Sequence, residues 1–236
     1  MDRRQFNSLC SALLAGAATA HANAQADAQA NAGPQRTLYP SSRLIYQDES
    51  EVTLDSLKTG QAYIFGYPYR TTPCFLMRLG RSSPARGSWP GGVDSDQSVV
   101  AFSAICSHKM SHPAKPISHI AYRPETVTFH DRQGIAHTRD GLISCCSERS
   151  VYDPAAGGEV LSGPAPAPLA AIELQVDAQG RLSATGSLGP DQYERFLEKF
   201  GFRLAMEYGV TDVRTRSGER VVAVPADEFS VQQVLC

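Results

Sequence analysis

Ala171-Ile172-Glu173-Leu174-Gln175-Val176-Asp177-Ala178-Gln179-Gly180-Arg181-Leu182-Ser183-Ala184-Thr185 holds two alternating apolar and polar runs around a four-residue turn. A period of two puts every second side chain on one face of an extended strand, and Asp177 to Gly180 closes the two runs into a hairpin. The same pattern recurs outward along the chain. Apolar or alternating runs lie at 51–54, 62–67, 74–79, 98–105, 126–130 and Leu142–Cys145, each between turn signals. Fifteen Pro and 19 Gly favour short strands over long helices. Residues 80–97, which include the single Trp (Trp89), read as a Gly/Ser/Pro-rich surface loop. One helix is expected after Gly189-Pro190, with Asp191 as N-cap and Tyr193, Phe196, Leu197, Phe200 and Leu204 forming its packed stripe. The expected fold is therefore all-β, an antiparallel sandwich or barrel, plus one C-terminal helix.

Composition narrows the function. With 236 residues, 42% of them hydrophobic and 19% charged, the chain is one domain with an appendage and can bury a core. The formal net charge of -2 argues against a nucleic-acid partner gathered by bulk attraction. No apolar run reaches the ~18 residues of a full membrane span.

Arg3-Arg4-Gln5-Phe6, the short apolar stretch that follows, and the small-residue sites Ala18-Thr19-Ala20 and Ala22-Asn23-Ala24 read as a twin-arginine signal over residues 1–24. A polar linker over 25–40 is expected next. The signal implies export of a folded protein to the periplasm, where disulfides are permitted. Left uncleaved, it would serve as a membrane tether.

The six Cys and six His are clustered. Cys106-Ser107-His108 follows one strand, and Cys145-Cys146 ends another, leading into Ser147-Glu148-Arg149-Ser150-Val151-Tyr152-Asp153-Pro154. Two loops with thiol and imidazole donors at strand tips can present a metal cluster near a protein surface. The segment Ser162-Gly163-Pro164-Ala165-Pro166-Ala167-Pro168-Leu169 adds a rigid third loop.

At these residues the chain resembles the Rieske [2Fe–2S] proteins, most of all the small subunit of arsenite oxidase, over about residues 51–186. The likeness also covers Phe65-Gly66-Tyr67-Pro68, Cys74-Phe75-Leu76-Met77-Arg78-Leu79-Gly80 and Val100-Ala101-Phe102-Ser103. It implies a Rieske-like domain over 41–188, with cluster loops at about 104–112 and 143–154, a Pro loop at 162–169, and a C-terminal helix and extension over 189–236. It further implies a [2Fe–2S] cluster with two Cys on one iron and two His on the other. Such ligation gives potentials of roughly -150 to +300 mV, against about -400 mV for all-Cys clusters. The first box assigns Cys106 and His108 as ligands. Ser150 and Tyr152 match the family's hydroxyl donors to the cluster and to a ligand sulfur, which raise the potential.

Three departures stand against that pattern. Counting from Cys145, the second-box His position holds Glu148; counting from Cys146 it holds Arg149, and both registers stay open, with Ser150 and Tyr152 favouring Cys145. The two Cys that commonly form a disulfide beside the cluster are Ser111 and Ser147 here. The segment between the boxes is long and carries His112, His119, His130 and His137, among which His112 is the candidate fourth ligand. A three-Cys set using Cys146 and a vicinal Cys145–Cys146 disulfide are further arrangements. Cys74 and Cys236 read as a structural disulfide or free thiols.

Two functional readings follow. One is an electron-transfer subunit of an exported oxidoreductase, working between a catalytic or membrane redox subunit and a cytochrome-like acceptor. The other is a Rieske-fold protein whose metal site is lost or altered, acting as a binding or scaffold module. No Ser-His-Asp spacing or facial triad points to a stand-alone catalyst.

Overall fold

The structure, a computed structural model, describes residues 35–87 and 89–236. The expected twin-arginine signal, and the expected linker as far as residue 34, lie outside the described residues. From Arg36 the chain is already a strand, β1 (Arg36–Ile45), so the expected linker stops short of residue 40. The cause is pairing: β1 runs antiparallel to β12 (Leu182–Leu188) from Arg36↔Leu188 to Arg43↔Ser183, and the buried Ser42 hydroxyl donates to Gly218 O at 2.7 Å.

The architecture is mostly β and antiparallel. Between β1 and β12 come β2 (Ala62–Gly66), β3 (Pro73–Arg78), β4 (Val99–Ser103), β5 (Ile120–Arg123), β6 (Val127–His130), β7 (Ala136–Arg139), β8 (Leu142–Cys145), β9 (Ser150–Asp153), β10 (Glu159–Ser162) and β11 (Ala171–Val176). After β12 come the helix α1 (Tyr193–Tyr208), the short strands β13 (Arg220–Val222) and β14 (Val224–Pro225), and a helical turn, α2 (Ala226–Phe229). Eight strands form one sheet in the order β13-β1-β12-β11-β4-β3-β2-β14. β13 lies parallel to β1 at one edge and β14 antiparallel to β2 at the other, with only Ala223 between them. The sheet is thus bent almost into a closed barrel, and Ala223 N–H donates to Ile45 O at 2.7 Å at the seam.

β2, β3 and β4 are buried along nearly their whole length because both faces are covered. Alternation sorts their side chains. Tyr63, Phe65, Leu76, Val99 and Ala101 join a core with Tyr193, Phe196, Leu197 and Leu204 of α1. Ile64, Phe75, Met77, Val100 and Phe102 join a second core with Ile143, Tyr152, Cys106 and Cys145. That second core seats a smaller sheet, β10-β9-β8-β5, against the barrel, and β6-β7 is a separate hairpin.

Residues 51–54 are not a strand; only the isolated bridges Ile45↔Glu51 and Thr53↔Arg181 form, because Thr53 and Ser56 hydrogen-bond each other into a turn. α1 starts at Tyr193 with Gln192 in the cap position, and Asp191 instead accepts from Ser187 Oγ at 3.1 Å. The C-terminal extension is part of the same compact unit as the barrel, Arg36–Cys236. No helix among the described residues is long and apolar enough to cross a membrane.

Candidate metal centre

Two turns carry the thiols. The chain leaving β4 curls on itself, with Cys106 N–H donating to Ser111 O at 2.8 Å and Met110 N–H to Cys106 O at 3.0 Å; Met110 takes φ +63 to close the curl. The second turn is the β8–β9 connection, where Cys145 faces Ser150 in register and Arg149 takes φ +55. The third loop sits on this turn: a Cβ on Gly163 would lie 2.4 Å from Arg149 O and 2.6 Å from Ser150 Cα, so only glycine permits the contact.

Cys106 and Cys145 are fully buried and their thiols interact directly. The contact with Cys145 is the main reason the Cys106 thiol is pulled below its usual range. Burial opposes this, while the Tyr152 hydroxyl and the backbone N–H groups of His108 and Lys109 assist it. Cys145 moves the opposite way, raised by its bond to Cys106, by burial and by the Cys106 charge. Both sulfurs sit among donors suited to thiolates: Tyr152 Oη lies 3.2 Å from Cys106 Sγ, and the Ser111 hydroxyl and Ser147 N–H serve Cys145. Burial and the Cys106 charge raise the Tyr152 phenol, keeping it protonated and able to donate. Ser107 ties the loops together, its N–H reaching Tyr152 Oη at 3.2 Å and its hydroxyl donating to Ala167 O of the Pro loop at 2.6 Å.

His108 stands beside this pair. Its Nδ1 is buried without a hydrogen-bond partner and lies 4.0 Å from Glu148 Oε2. Glu148 Oε1 accepts from Lys109 Nζ at 2.7 Å, and that bond is the chief cause holding the Glu148 carboxyl below the usual range. Ser150 is fully buried and its Oγ also lacks a partner. A buried polar atom left unpaired costs about 1–3 kcal/mol, so two such atoms beside two thiols indicate a group they would serve. No three His, Cys, Asp or Glu among the described residues converge closely enough for a single metal ion. A binuclear cluster spreads its ligands over two irons, and here Cys106 and Cys145 would serve one iron and His108 the other. The side chain beside His108 is the Glu148 carboxylate, ion-paired with Lys109.

The remaining expected site residues lie elsewhere. Cys146 is disulfide-bonded to Cys236, which commits its sulfur and removes the shifted register, the three-Cys set and the vicinal disulfide. Cys74 is a buried free thiol donating to Tyr67 O, so it does not pair with Cys236. His112 does not reach the thiols: its Nδ1 bonds Met110 O at 2.8 Å, its Nε2 meets Arg203, and its ring packs on Phe196 and Phe200. His137 pairs with Asp131 on the β6–β7 hairpin, whose other histidine, His130, is exposed. His119 offers its carbonyl to Cys146 N–H at 2.7 Å. Ser107, Lys109 and Cys236 were not legible as site residues, proximity to Cys106 being the only signal for Ser107; Ser111 was legible only as a replaced cysteine.

No family model matches the chain. Among solved structures it is similar to the soluble domain of the Rieske protein II (soxF) from Sulfolobus acidocaldarius, with 25% sequence identity over 65% of this chain and 82% of that one and a TM-score of 0.43.

Proposed function

We propose that this protein is a Rieske-type electron carrier whose [2Fe–2S] cluster is held by Cys106 and Cys145 on one iron and by His108 on the other. The observation that carries the reading is the meeting of two buried thiols, ringed by donors, with the unpartnered His108 Nδ1 and Ser150 Oγ. When bound, such a cluster takes up and releases one electron at a time. The chain's own part is to bind and tune. Tyr152, Ser111 and the N–H groups of His108, Lys109 and Ser147 stabilise negative charge on the ligand sulfurs, and the second core keeps water from them. His108 is partly exposed, so its ring offers the electron's exit toward a partner.

The Cys146–Cys236 disulfide and the twin-arginine pattern at Arg3-Arg4 support work in the periplasm. There the protein would act as a subunit of an exported oxidoreductase, between a catalytic or membrane redox subunit and a cytochrome-like acceptor. Anaerobically purified protein should be brown, with two irons and two sulfides per chain and a paramagnetic resonance signal on reduction. Colourless, iron-free protein would overturn the proposal. One observation, a carboxylate, Glu148, facing His108 where a second imidazole is expected, favours the alternative of a scaffold module with a lost or altered metal site, and that reading expects the colourless result.

A further inference from the structure

Resting on the electron-carrier reading, we infer that Glu148 supplies the fourth ligand, so that the outer iron is held by one imidazole and one carboxylate. The β8–β9 turn presents four residues between Cys145 and Ser150. Cys146 is spent in its disulfide, Ser147 and Arg149 are exposed, and Glu148 is half-exposed, with Oε1 on Lys109 and Oε2 toward His108. Its Oε2 faces the unpartnered His108 Nδ1 at 4.0 Å, and the unpartnered, fully buried Ser150 Oγ closes the same turn. His112 is engaged at both nitrogens, His137 is bonded to Asp131, and His130 is exposed on the β6–β7 hairpin.

Lys109 makes Glu148 usable as a ligand. A carboxylate bound to a metal is ordinarily fixed by a second donor on its free oxygen. Lys109 Nζ takes Oε1 at 2.7 Å and leaves Oε2 directed at the site. A carboxylate is a harder ligand than imidazole and brings one more negative charge, which favours the oxidised state. The potential should therefore fall below that of the same protein carrying two imidazoles.

The test compares the full-length chain with Glu148→Gln, Glu148→His and Lys109→Met, each purified anaerobically. Iron and sulfide content, the potential and pulsed paramagnetic resonance of the reduced state are measured. Strongly coupled imidazole nitrogen should come from one ligand in the unaltered protein and from two in Glu148→His, whose potential should be higher. Glu148→Gln should lose most of its iron, and Lys109→Met should retain it about tenfold more weakly. Two coupled imidazoles in the unaltered protein, or unchanged iron and spectrum in Glu148→Gln, would overturn the carboxylate ligand and leave the electron carrier standing. Iron-free unaltered protein would overturn both.

Discussion

Cys146 is bonded to Cys236 across 90 residues of sequence, so the last residue of the chain is tied to the neighbour of the buried Cys145 thiol. The bond holds the β8–β9 turn from the side of the C-terminal segment. That segment is also fixed by Val234 N–H to Ser118 O at 2.8 Å and by Arg123 to the Cys236 carbonyl at 3.2 Å. A loop of this length, left open in the unfolded chain, corresponds to about 4.6 kcal/mol of stabilisation in the chain-entropy account. Cys236→Ser should lower the thermal midpoint clearly and add one thiol to those titrated in the native protein. An unchanged midpoint would show that the bond does not staple the turn.

The Tyr152 hydroxyl, 3.2 Å from Cys106 Sγ, should tune the centre without holding it. Tyr152→Phe removes one donor to a thiolate, an interaction worth about 1.5 kcal/mol, or about 60 mV for a one-electron couple. The expected result is a lower potential with full iron content. Loss of iron instead would give the tyrosine a structural role.

β8 and β11 could be read to their ends because their apolar runs are bounded by turn residues, Asp140-Gly141 before β8 and Asp177 to Gly180 after β11. β13 and β14 could not. Their residues are exposed or half-buried, and they become strands because β1 and β2 offer free edges, a tertiary cause with no local trace. The site divides in the same way. Cys106, His108 and Cys145 stand in local patterns at strand ends. The partner of Cys146 lies at the far end of the chain, and pairing among cysteines is not written in their spacing. Glu148 was visible only as a departure; the Cys145↔Ser150 register and the left-handed Arg149 are what turn it toward His108.

Gly163 makes a prediction that separates strain from contact. Gly163 and Gly180 both have positive φ, +84 and +74, but a Cβ on Gly180 meets nothing within 4 Å. Gly180→Ala should cost about 1 kcal/mol for the left-handed backbone alone. Gly163→Ala adds a collision with the Arg149 carbonyl and should cost at least about 2 kcal/mol, with faster thiol labelling of Cys145. Equal destabilisation by the two variants would mean that the Pro loop does not press on the turn.

His112 should govern acid stability and not iron. Its Nδ1–H donates to Met110 O, its Nε2 accepts from Arg203, and its ring lies between aromatic side chains of α1, so it is held neutral. Burial, aided by the Arg203 charge, pulls it down to about 4. An unfolded histidine titrates near about 6.5, so between that pH and about 4 the unfolded chain binds a proton that the native one refuses. Stability should thus be unaffected by this group above pH ~6.5, fall as pH drops through the window, and level off below about 4. The full effect is on the order of 3 kcal/mol. His112→Gln should be less stable at neutral pH, because Arg203 and the Met110 carbonyl lose their partner, yet show a flatter decline toward acid and unchanged iron content. Denaturant unfolding at pH 7, 6, 5 and 4, with iron assayed in parallel, checks both; iron lost on this substitution would return His112 to the ligand set.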